Sequence, residues 1–186
     1  GARFFINGVD STTKGVDIVA RYRHATDTRG RFNFTLAANF NKTDLTRVPA
    51  IPTSVPIPSP PPLFNRINVL SFEEGTPKTK VTGSVDWTGG PWGATVRAVY
   101  YSKVIQPFSN TDPTFDVDTG SHVITDVEGR YRVGKVTLAA GANNLFDEYP
   151  DATPAFVNTS GATPFSNYTP FGFNGRFLYT RVSLEF

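Results

Sequence analysis

The stretch RFNFTLAANFNKT, residues 31–43, alternates between apolar and polar side chains along its length. A two-residue period is that of a β-strand with two different faces, since successive side chains of a strand point in opposite directions. A slip of one residue would exchange the two faces, so the strand pairing is strongly specified. One face holds Phe32, Phe34, Leu36, Ala38 and Phe40, and the other holds Arg31, Asn33, Thr35, Ala37, Asn39 and Asn41.

Six further stretches show the same alternation, and each is bounded by proline or glycine. These stretches have 12 or more residues, against five or six in the usual strand of a soluble sheet. No helix is predicted anywhere, and Val48–Phe64 is interpreted as a proline-rich connection without a helical period. The six stretches are residues 13–24, 77–88, 92–106, 121–132, 135–149 and 171–186.

The connections between these stretches alternate in length. Short gaps lie at Ala25–Gly30, Gly89–Pro91 and Val133–Gly134, and long ones at Asp44–Thr76, Pro107–Gly120 and Pro150–Pro170. Alternate gaps of an up-and-down antiparallel sheet emerge at opposite edges, so one edge has only short turns. The sequence therefore predicts an all-β fold, a transmembrane antiparallel up-and-down β-barrel of seven or eight strands with short periplasmic turns and long extracellular loops.

Aromatic residues mark the short-turn end of the predicted strands. Aromatic girdles at the membrane interface are typical of outer-membrane barrels. The middle of the same stripe is smaller, as in Val136, Leu138 and Ala140. We therefore expect a lipid-face aromatic girdle made of Tyr22, Phe32, Trp87, Trp92, Tyr131 and Phe186.

Composition excludes several classes of protein. With 39% hydrophobic and 18% charged residues, the 186-residue chain is neither a disordered tail nor a helical membrane bundle. It has no cysteine, which excludes disulfides and thiolate chemistry, and its net charge of +2 indicates no nucleic-acid partner. It also has no methionine, and we expect it to be a processed or excised piece of a longer protein.

Three segments resemble the TonB-dependent outer-membrane receptor family. The first is Ala142-Asn143-Asn144-Leu145-Phe146-Asp147-Glu148-Tyr149-Pro150, which is similar to the family's penultimate-strand motif. The second, Pro170–Phe186, resembles its last strand with a terminal Phe. The third, Asn7-Gly8 followed by Lys14-Gly15-Val16-Asp17, resembles an earlier strand, with Asp17 in place of the commoner Glu.

This resemblance implies the carboxy-terminal portion, residues 1–186, of a 22-stranded receptor barrel in a Gram-negative outer membrane. The plug domain and the TonB-binding segment of the family are absent from the sequence. The implied function is TonB-dependent active uptake of a scarce nutrient such as a siderophore, cobalamin or a glycan. The implied partners are outer-membrane lipid, the remainder of the receptor with its plug and other strands, TonB through that plug, and the outer-membrane assembly machinery.

Two other architectures remain open. In the first, Arg3–Val9 is an eighth strand of a small self-contained barrel with a structural or adhesive role, although seven residues are too few to span. The interpretation of Arg3–His24 as one long strand, irregular near Gly8, is more natural. In the second, the chain is a soluble β-sandwich whose core contains Trp87 and Trp92.

The polar faces of the predicted strands are charged, and we expect these residues to line the barrel lumen. His122, Asp126 and Glu128 have the even spacing of a metal site, but Arg130 continues the same row, which favours an ion-pair network. No catalytic motif is found, so neither an enzyme nor a cofactor is predicted. The predicted lumen-lining residues are Asp17, Arg21, Lys80, Asp86, Arg97, Asp126, Glu128, Arg130, Arg181 and Glu185.

The long loops hold the candidate ligand contacts, because specificity sits on loops held by a rigid scaffold. Asp112, Asp116 and Asp118 could bind calcium, but a solvated acidic loop is the favoured interpretation. The terminal Phe186 resembles the signal that the assembly machinery reads. The aromatic residues that could stack on a ligand, or pack the loops together, are Phe64, Phe72, Phe108, Phe115, Phe156, Phe165 and Tyr168.

Overall fold

A computed structural model describes residues 8–48 and 62–186. Its elements are β1 (Asp10–Thr26), β2 (Gly30–Arg47), α1 (Arg66–Glu73), β3 (Thr79–Gly89), β4 (Trp92–Tyr101), β5 (Ile105–Pro107), β6 (Asp116–Asp118), β7 (His122–Val133), β8 (Val136–Asn143) and β9 (Phe177–Leu184), with one 3₁₀ turn at Pro113–Phe115. Residues 49–61 of the proline-rich connection and the proposed strand Arg3–Val9 up to residue 7 lie outside the described residues.

The long strands form one antiparallel sheet in the order β1-β2-β3-β4-β7-β8-β9, and β5 and β6 form a separate two-stranded sheet. Each strand pairs with its neighbour in the chain once the small sheet is set aside, which confirms the up-and-down topology. The sheet is open, with β1 and β9 at its edges within the described residues. No helix in those residues is long and apolar enough to cross a membrane.

The three short connections are the tight turns that the sequence predicts, and they lie at one edge of the sheet. Gly90 and Gly134 stand in two of these turns with φ of 58°, a left-handed conformation that glycine adopts without steric cost. The connections after β2, β4 and β8 are long and lie at the opposite edge. We call the two edges the short-turn edge and the long-loop edge.

The pairing register keeps the two faces separate across all seven strands. Phe32 lies opposite Trp87, Trp87 opposite Ala94, and Ala94 opposite Gly129. A shift within β1–β2 occurs only between Asp10 and Ser11, at the strand end. The apolar face consists of even-numbered residues in β1, β2, β4, β8 and β9 and odd-numbered residues in β3 and β7; the remaining strand residues form the polar face.

The apolar face is not covered by a second layer in the described chain. Ile18 is 48% exposed and Leu178 is 70% exposed, although both lie within strands. Five apolar side chains of the described residues are buried. Two of them, Val104 and Val117, are each 1% exposed and lie in or beside the small sheet, and the other three are Val99 in β4 and Ala139 and Ala142 in β8. A broad exposed apolar face with a small core elsewhere is the arrangement expected when lipid rather than protein covers the sheet.

The expectation that no helix forms was wrong. α1 lies in the connection after β2 and begins with a reciprocal capping box: Asn68 N donates to Asn65 Oδ1 over 3.0 Å, and Asn65 N donates to Asn68 Oδ1 over 3.2 Å. These bonds satisfy backbone donors that the first turn of a helix leaves unpaired. The connection after β4 contains two further unpredicted elements, the short strands β5 and β6.

Three predicted strands were too long. β4 ends at Tyr101 rather than residue 106, because Lys103 N turns to Ser121 Oγ, 3.1 Å away. β8 ends at Asn143 rather than residue 149, because Asn144 and Asp147 have φ of 51° and 60°. β9 begins at Phe177 rather than residue 171, two residues after Gly175 with φ of 72°. A left-handed residue cannot continue an extended strand.

Candidate functional site

An ion-pair belt crosses the polar face from β3 to β9. Arg130 Nη2 lies 2.5 Å from Asp86 Oδ2, and Arg130 Nη1 donates to Thr95 Oγ1 over 3.0 Å. Glu128 accepts from Arg181 Nη2 at 2.9 Å and from the Tyr179 hydroxyl at 3.0 Å. Arg130 Nη1 also reaches Glu128 Oε1 at 3.5 Å, so the side chains of four strands form one network.

Two glycines let this belt lie flat against the sheet. A Cβ atom at Gly93 would come within 3.0 Å of Arg130 Nε, so the guanidinium crosses β4 over a position without a side chain. A Cβ atom at Gly141 would come within 2.6 Å of the Tyr179 ring, which crosses β8 in the same way to reach Glu128. The long side chains of Arg130 and Tyr179 therefore lie along the polar face over positions that have no side chain.

A second ion pair connects the sheet to the motif at the end of β8. Arg97 Nη2 lies 2.6 Å from Asp126 Oδ2, and Asp126 Oδ1 accepts from Asn144 N at 2.9 Å. The buried Asn144 closes the turn by accepting from Glu148 N and donating to Glu148 O. Asp147 Oδ1 accepts from Arg176 N at 2.7 Å, just before β9. The motif thus ends one strand and positions the next.

The structure places the ten predicted charged residues on the polar face or its continuation. Besides the belt and the Arg97–Asp126 pair, Asp17 accepts from Asn39 and the Lys80 ammonium lies 5.1 Å from the ring centroid of Tyr101. Glu185, just beyond β9, pairs with Arg132 at 2.8 Å. Arg21 is exposed. The polar residues that sequence reasoning missed are Thr95, Asn144 and Tyr179, together with Gly93 and Gly141.

Two polar grooves lie along the polar face. One has a volume of about 340 Å³ and includes Tyr179 and Arg181 in its lining. The next has a volume of about 270 Å³ and lies under Phe171. Both are lined by Arg97, Asp126 and Asn143.

The predicted girdle residues within the strands share the apolar face near the short-turn edge. The rings of Trp92 and Tyr131 have centroids 4.4 Å apart, and those of Phe32 and Trp87 lie 6.4 Å apart. Tyr22 is exposed beside them. Phe186 continues the parity of β9 but lies two residues beyond its end, fully exposed. A role of these side chains in lipid contact stays a prediction.

The described parts of the three long loops pack against one another at the long-loop edge. Arg66 of α1 pairs with Asp116 of β6, and its Nη1 donates to Asp116 Oδ1 over 2.9 Å. The Ser71 hydroxyl lies 2.8 Å from the Tyr168 hydroxyl, so α1 also contacts the loop before β9. Ser166 Oγ donates to Gln106 Oε1 over 2.6 Å, which connects that loop to β5. We call this assembly the loop body.

The predicted loop aromatics are distributed over the loop body rather than gathered in one pocket. Phe64 packs on Phe72 with centroids 5.5 Å apart, and Phe115 meets Phe156 edge to face at 5.6 Å. Phe108 is exposed. The structure shows the packing of these rings, and their contact with a ligand stays a prediction. Sequence reasoning missed further ring contacts, namely Phe165 with Tyr149 and Phe173, and Phe171 with Tyr101 and His122.

His122 connects β7 to two of the loops. Its Nδ1 lies 2.7 Å from Glu148 Oε1 and its Nε2 lies 2.9 Å from the carbonyl oxygen of Thr119. Asp151 Oδ1 lies 3.7 Å from the same Nε2. The imidazole side chain is only 9% exposed. The ring therefore joins the start of β7 to the loop after β4 and to the loop after β8.

The three aspartates considered for calcium have separate partners. Asp112 caps the 3₁₀ turn, and hydrogen bonds from the Thr114 hydroxyl and N–H lower the pKa of its carboxyl. Asp116 pairs with Arg66 and raises the pKa of that guanidinium. Burial raises the pKa of Asp118, but hydrogen bonds from Lys103 and Gly120 N outweigh it, and the pKa is lowered. Residues 8–48 and 62–186 contain no group of three or more metal-ligating side chains.

Residues 2–145 match the family model described as TonB dependent receptor-like, beta-barrel. The chain belongs to this family. The match covers β1 to β8 and supports the assignment made from the receptor-like motifs. No curated protein matches.

A similar solved structure is the crystal structure of a mutant ferric enterobactin receptor from Pseudomonas aeruginosa. The two chains are 15% identical, with a TM-score of 0.46, and the alignment covers 95% of this chain. The chain spans 31% of the length of that receptor.

Proposed function

We propose that this chain is a carboxy-terminal part of the barrel wall of a TonB-dependent receptor that takes up a scarce nutrient across a Gram-negative outer membrane. The observation that carries the proposal is the separation of faces across seven strands, with an exposed apolar face and a charged face on one sheet. Family membership supports it. Lipid would cover the apolar face and the polar face would line the lumen.

The chain's own contribution to uptake is a rigid wall and a preformed loop body. The belt pairs its charges within the wall, so these side chains are neutralised without a ligand. The loop body has its own small core, in which Val104, Val117 and Thr119 are each 1% exposed. Loops fixed in this way suit ligand capture because they lose less conformational freedom when a ligand binds. Exposed Phe108, Phe115 and Phe156 are the proposed first contacts for a flat or ring-bearing nutrient.

The other parts of the proposed receptor lie outside this sequence. A plug domain in the lumen would engage TonB, which supplies the energy for uptake, and the assembly machinery would insert the barrel. The candidate nutrient classes are siderophores, cobalamin and glycans. The polar face supplies charged and polar side chains for contact with them.

Gene deletion tests this function. We expect the protein to fractionate with the outer membrane and the deletion strain to lose growth on one limiting nutrient from a panel of ferric siderophores, cobalamin and oligosaccharides. The same growth should require TonB. A strain that retains growth on every nutrient of the panel, or a protein found only in soluble fractions, would contradict the proposal.

A further inference from the structure

The smaller of the two polar grooves, about 270 Å³ in volume, is formed jointly by the sheet and the loop before β9. Its lining includes Phe171 and Asn174 from that loop and Asn143 from the end of β8. Ile124, the one apolar side chain among the even-numbered residues of β7 on the polar face, lines it as well. The groove therefore combines apolar surface with side-chain amides, and we call it the loop-base groove.

The loop-base groove presents no uncompensated charge. The charged side chains in its lining, Arg97 and Asp126, pair with each other at 2.6 Å. The side chains of Asn143 and Asn174 are exposed, and each amide group both donates and accepts hydrogen bonds. Such a lining suits a ligand whose own groups also donate and accept, as hydroxyl groups do.

The loops at this edge of the sheet are acidic. The connections at residues 48–78, 102–121 and 144–176 contain eight carboxylates and four basic side chains, a net charge of −4. Arg176 donates to the carbonyl oxygen of Leu145 over 3.3 Å. The other three basic side chains are already ion-paired within the loops, namely Arg66 with Asp116, Lys78 with Glu74 and Lys103 with Asp118.

This charge balance disfavours an anionic nutrient. A net negative surface repels an anion as it approaches, and proteins that hold anions generally do so with arginine or lysine groups that have no carboxylate partner of their own. An uncharged nutrient meets no such repulsion and leaves the ion pairs of the loops intact. The loops of this chain are therefore better matched to an uncharged ligand than to an anionic one.

Exposed rings in the loop before β9 supply the apolar contact that a sugar needs. Tyr149 stacks on Phe165 with ring centroids 5.8 Å apart, and Phe173 lies at the same distance on from Phe165. Tyr149 and Phe173 are 40% and 48% exposed. The C–H face of a sugar ring is apolar and packs on an aromatic ring, while the hydroxyl groups around its rim need donors and acceptors.

We infer that the loop-base groove is a subsite for one ring of an uncharged oligosaccharide, and that such a glycan is the nutrient of the receptor. The inference rests on the proposed function and names the substrate class within it. Phe171 and Ile124 would contact the C–H face of the sugar. Asn143 and Asn174 would exchange hydrogen bonds with its hydroxyl groups, and so would the polar atoms of the Arg97–Asp126 pair.

The second polar groove extends this subsite. It has a volume of about 340 Å³ and shares Arg97, Asp126 and Asn143 with the loop-base groove, so the two grooves are continuous. Its other charged side chains belong to the ion-pair belt and are paired within the wall. Two joined grooves without free charge fit a chain of sugar rings better than a single sugar.

A binding screen of the full-length receptor tests the ligand class. The probes are a printed array of neutral and acidic oligosaccharides, together with a ferric catecholate, a ferric hydroxamate and cyanocobalamin. We expect binding to a neutral oligosaccharide and to none of the acidic glycans, iron chelates or cyanocobalamin. Calorimetry with the bound oligosaccharide should give the same Kd at about 0.05 and 0.5 M NaCl, because an uncharged ligand forms no ion pair for salt to screen.

Two variants test the groove itself. The groove variant carries Asn143→Ala and Asn174→Ala, and Asn167→Ala is the matched control, because Asn167 is an exposed amide of the same loop outside the lining of both grooves. We expect the Kd for the oligosaccharide to rise about tenfold or more in the groove variant and to stay within about twofold in the control. Phe171→Leu, which keeps apolar contact with Tyr101 and His122 but has no ring, should raise the Kd about fivefold.

The outcomes separate the inference from the proposed function. Equal affinity of the groove variant and the control would overturn the subsite, and a receptor that binds no neutral oligosaccharide would overturn the ligand class. If the receptor instead took up an iron chelate or cobalamin with the help of TonB, the inference would fall and the proposed function would stand. A protein without TonB-dependent uptake of any nutrient would contradict both.

Discussion

The guanidinium of Arg130 crosses β4 directly over Gly93 to reach Asp86, with 2.5 Å between Nη2 and Oδ2. The ion pair depends on the glycine, because a β-carbon at residue 93 would lie 3.0 Å from Arg130 Nε. Since Glu128 and Arg181 continue the network, the position of one glycine affects the wall from β3 to β9.

Gly93→Val should destabilise the barrel by about 1–2 kcal/mol, because the branched side chain occupies the path of Arg130 and its hydrogen bonds are lost. Gly129→Val is the control, since a β-carbon there meets nothing within 4 Å and the position lies on the apolar face. Urea unfolding of the refolded receptor measures both free energies. Equal stability of the two variants would refute the role given to Gly93.

His122→Gln should loosen the loop body, because Gln cannot keep the ring's contacts with both Glu148 and the Thr119 carbonyl. We expect trypsin to cleave after Lys103 and Arg176 about fivefold faster. His24→Gln is the control, as the other histidine lies on β1 at the opposite edge. Unchanged cleavage in His122→Gln would show that the imidazole does not hold the loops.

Acid should loosen the loop beside β6 through Asp118. Its pKa is lowered in the folded protein, so its contribution to stability is present above the unfolded value of about 3.9 and is lost as the pH falls through the folded value. Pepsin digestion between about pH 2 and pH 5 should show protection of this loop falling below about pH 4. Asp118→Asn should be less protected at pH 5 and should lose less protection on acidification, the remaining loss coming from Asp112, whose pKa is also lowered. An acid transition of undiminished size in this variant would assign the effect to another group.

Phe186→Ala should lower the amount of receptor in the outer membrane without changing uptake per assembled molecule. The reason is that Phe186 is fully exposed on the apolar parity of β9 and has no packing role in the described chain, which fits the assembly signal that the family resemblance implies. Phe186→Tyr, which keeps an aromatic ring, should assemble normally. Quantitative blotting of membrane fractions measures the amount of each variant in the outer membrane. A normal amount of Phe186→Ala would contradict the assembly role.

Alternation in the sequence was sufficient to predict the two faces of the sheet, because a strand has only one periodicity and a long strand repeats it many times. The gap lengths predicted the two edges because alternate connections of an up-and-down antiparallel sheet emerge at opposite edges. The helix α1 was not predictable in this way. It has eight residues and depends on the Asn65–Asn68 capping box and on the contact of Arg66 with Asp116, which is distant in the sequence.

The sequence predicted which charged residues share the polar face, but it did not predict which of them form ion pairs. Parity places Asp86 and Arg130 on one face, yet their contact depends on the order of β3, β4 and β7 in the sheet and on Gly93 between them. Phe171 illustrates the same limit in the loops. Its contacts with Tyr101 and His122 arise only because a loop folds back over the sheet.

The most direct test of the membrane-spanning wall is a cysteine scan of β7 from Val123 to Tyr131 in the full-length receptor reconstituted into lipid. This chain contributes no background, because it contains no native cysteine. Spin labels at 123, 125, 127, 129 and 131 should be accessible to oxygen and shielded from a water-soluble nickel complex, and labels at 124, 126, 128 and 130 should show weaker access to oxygen. The reverse alternation, or no alternation, would contradict a wall whose apolar face meets lipid.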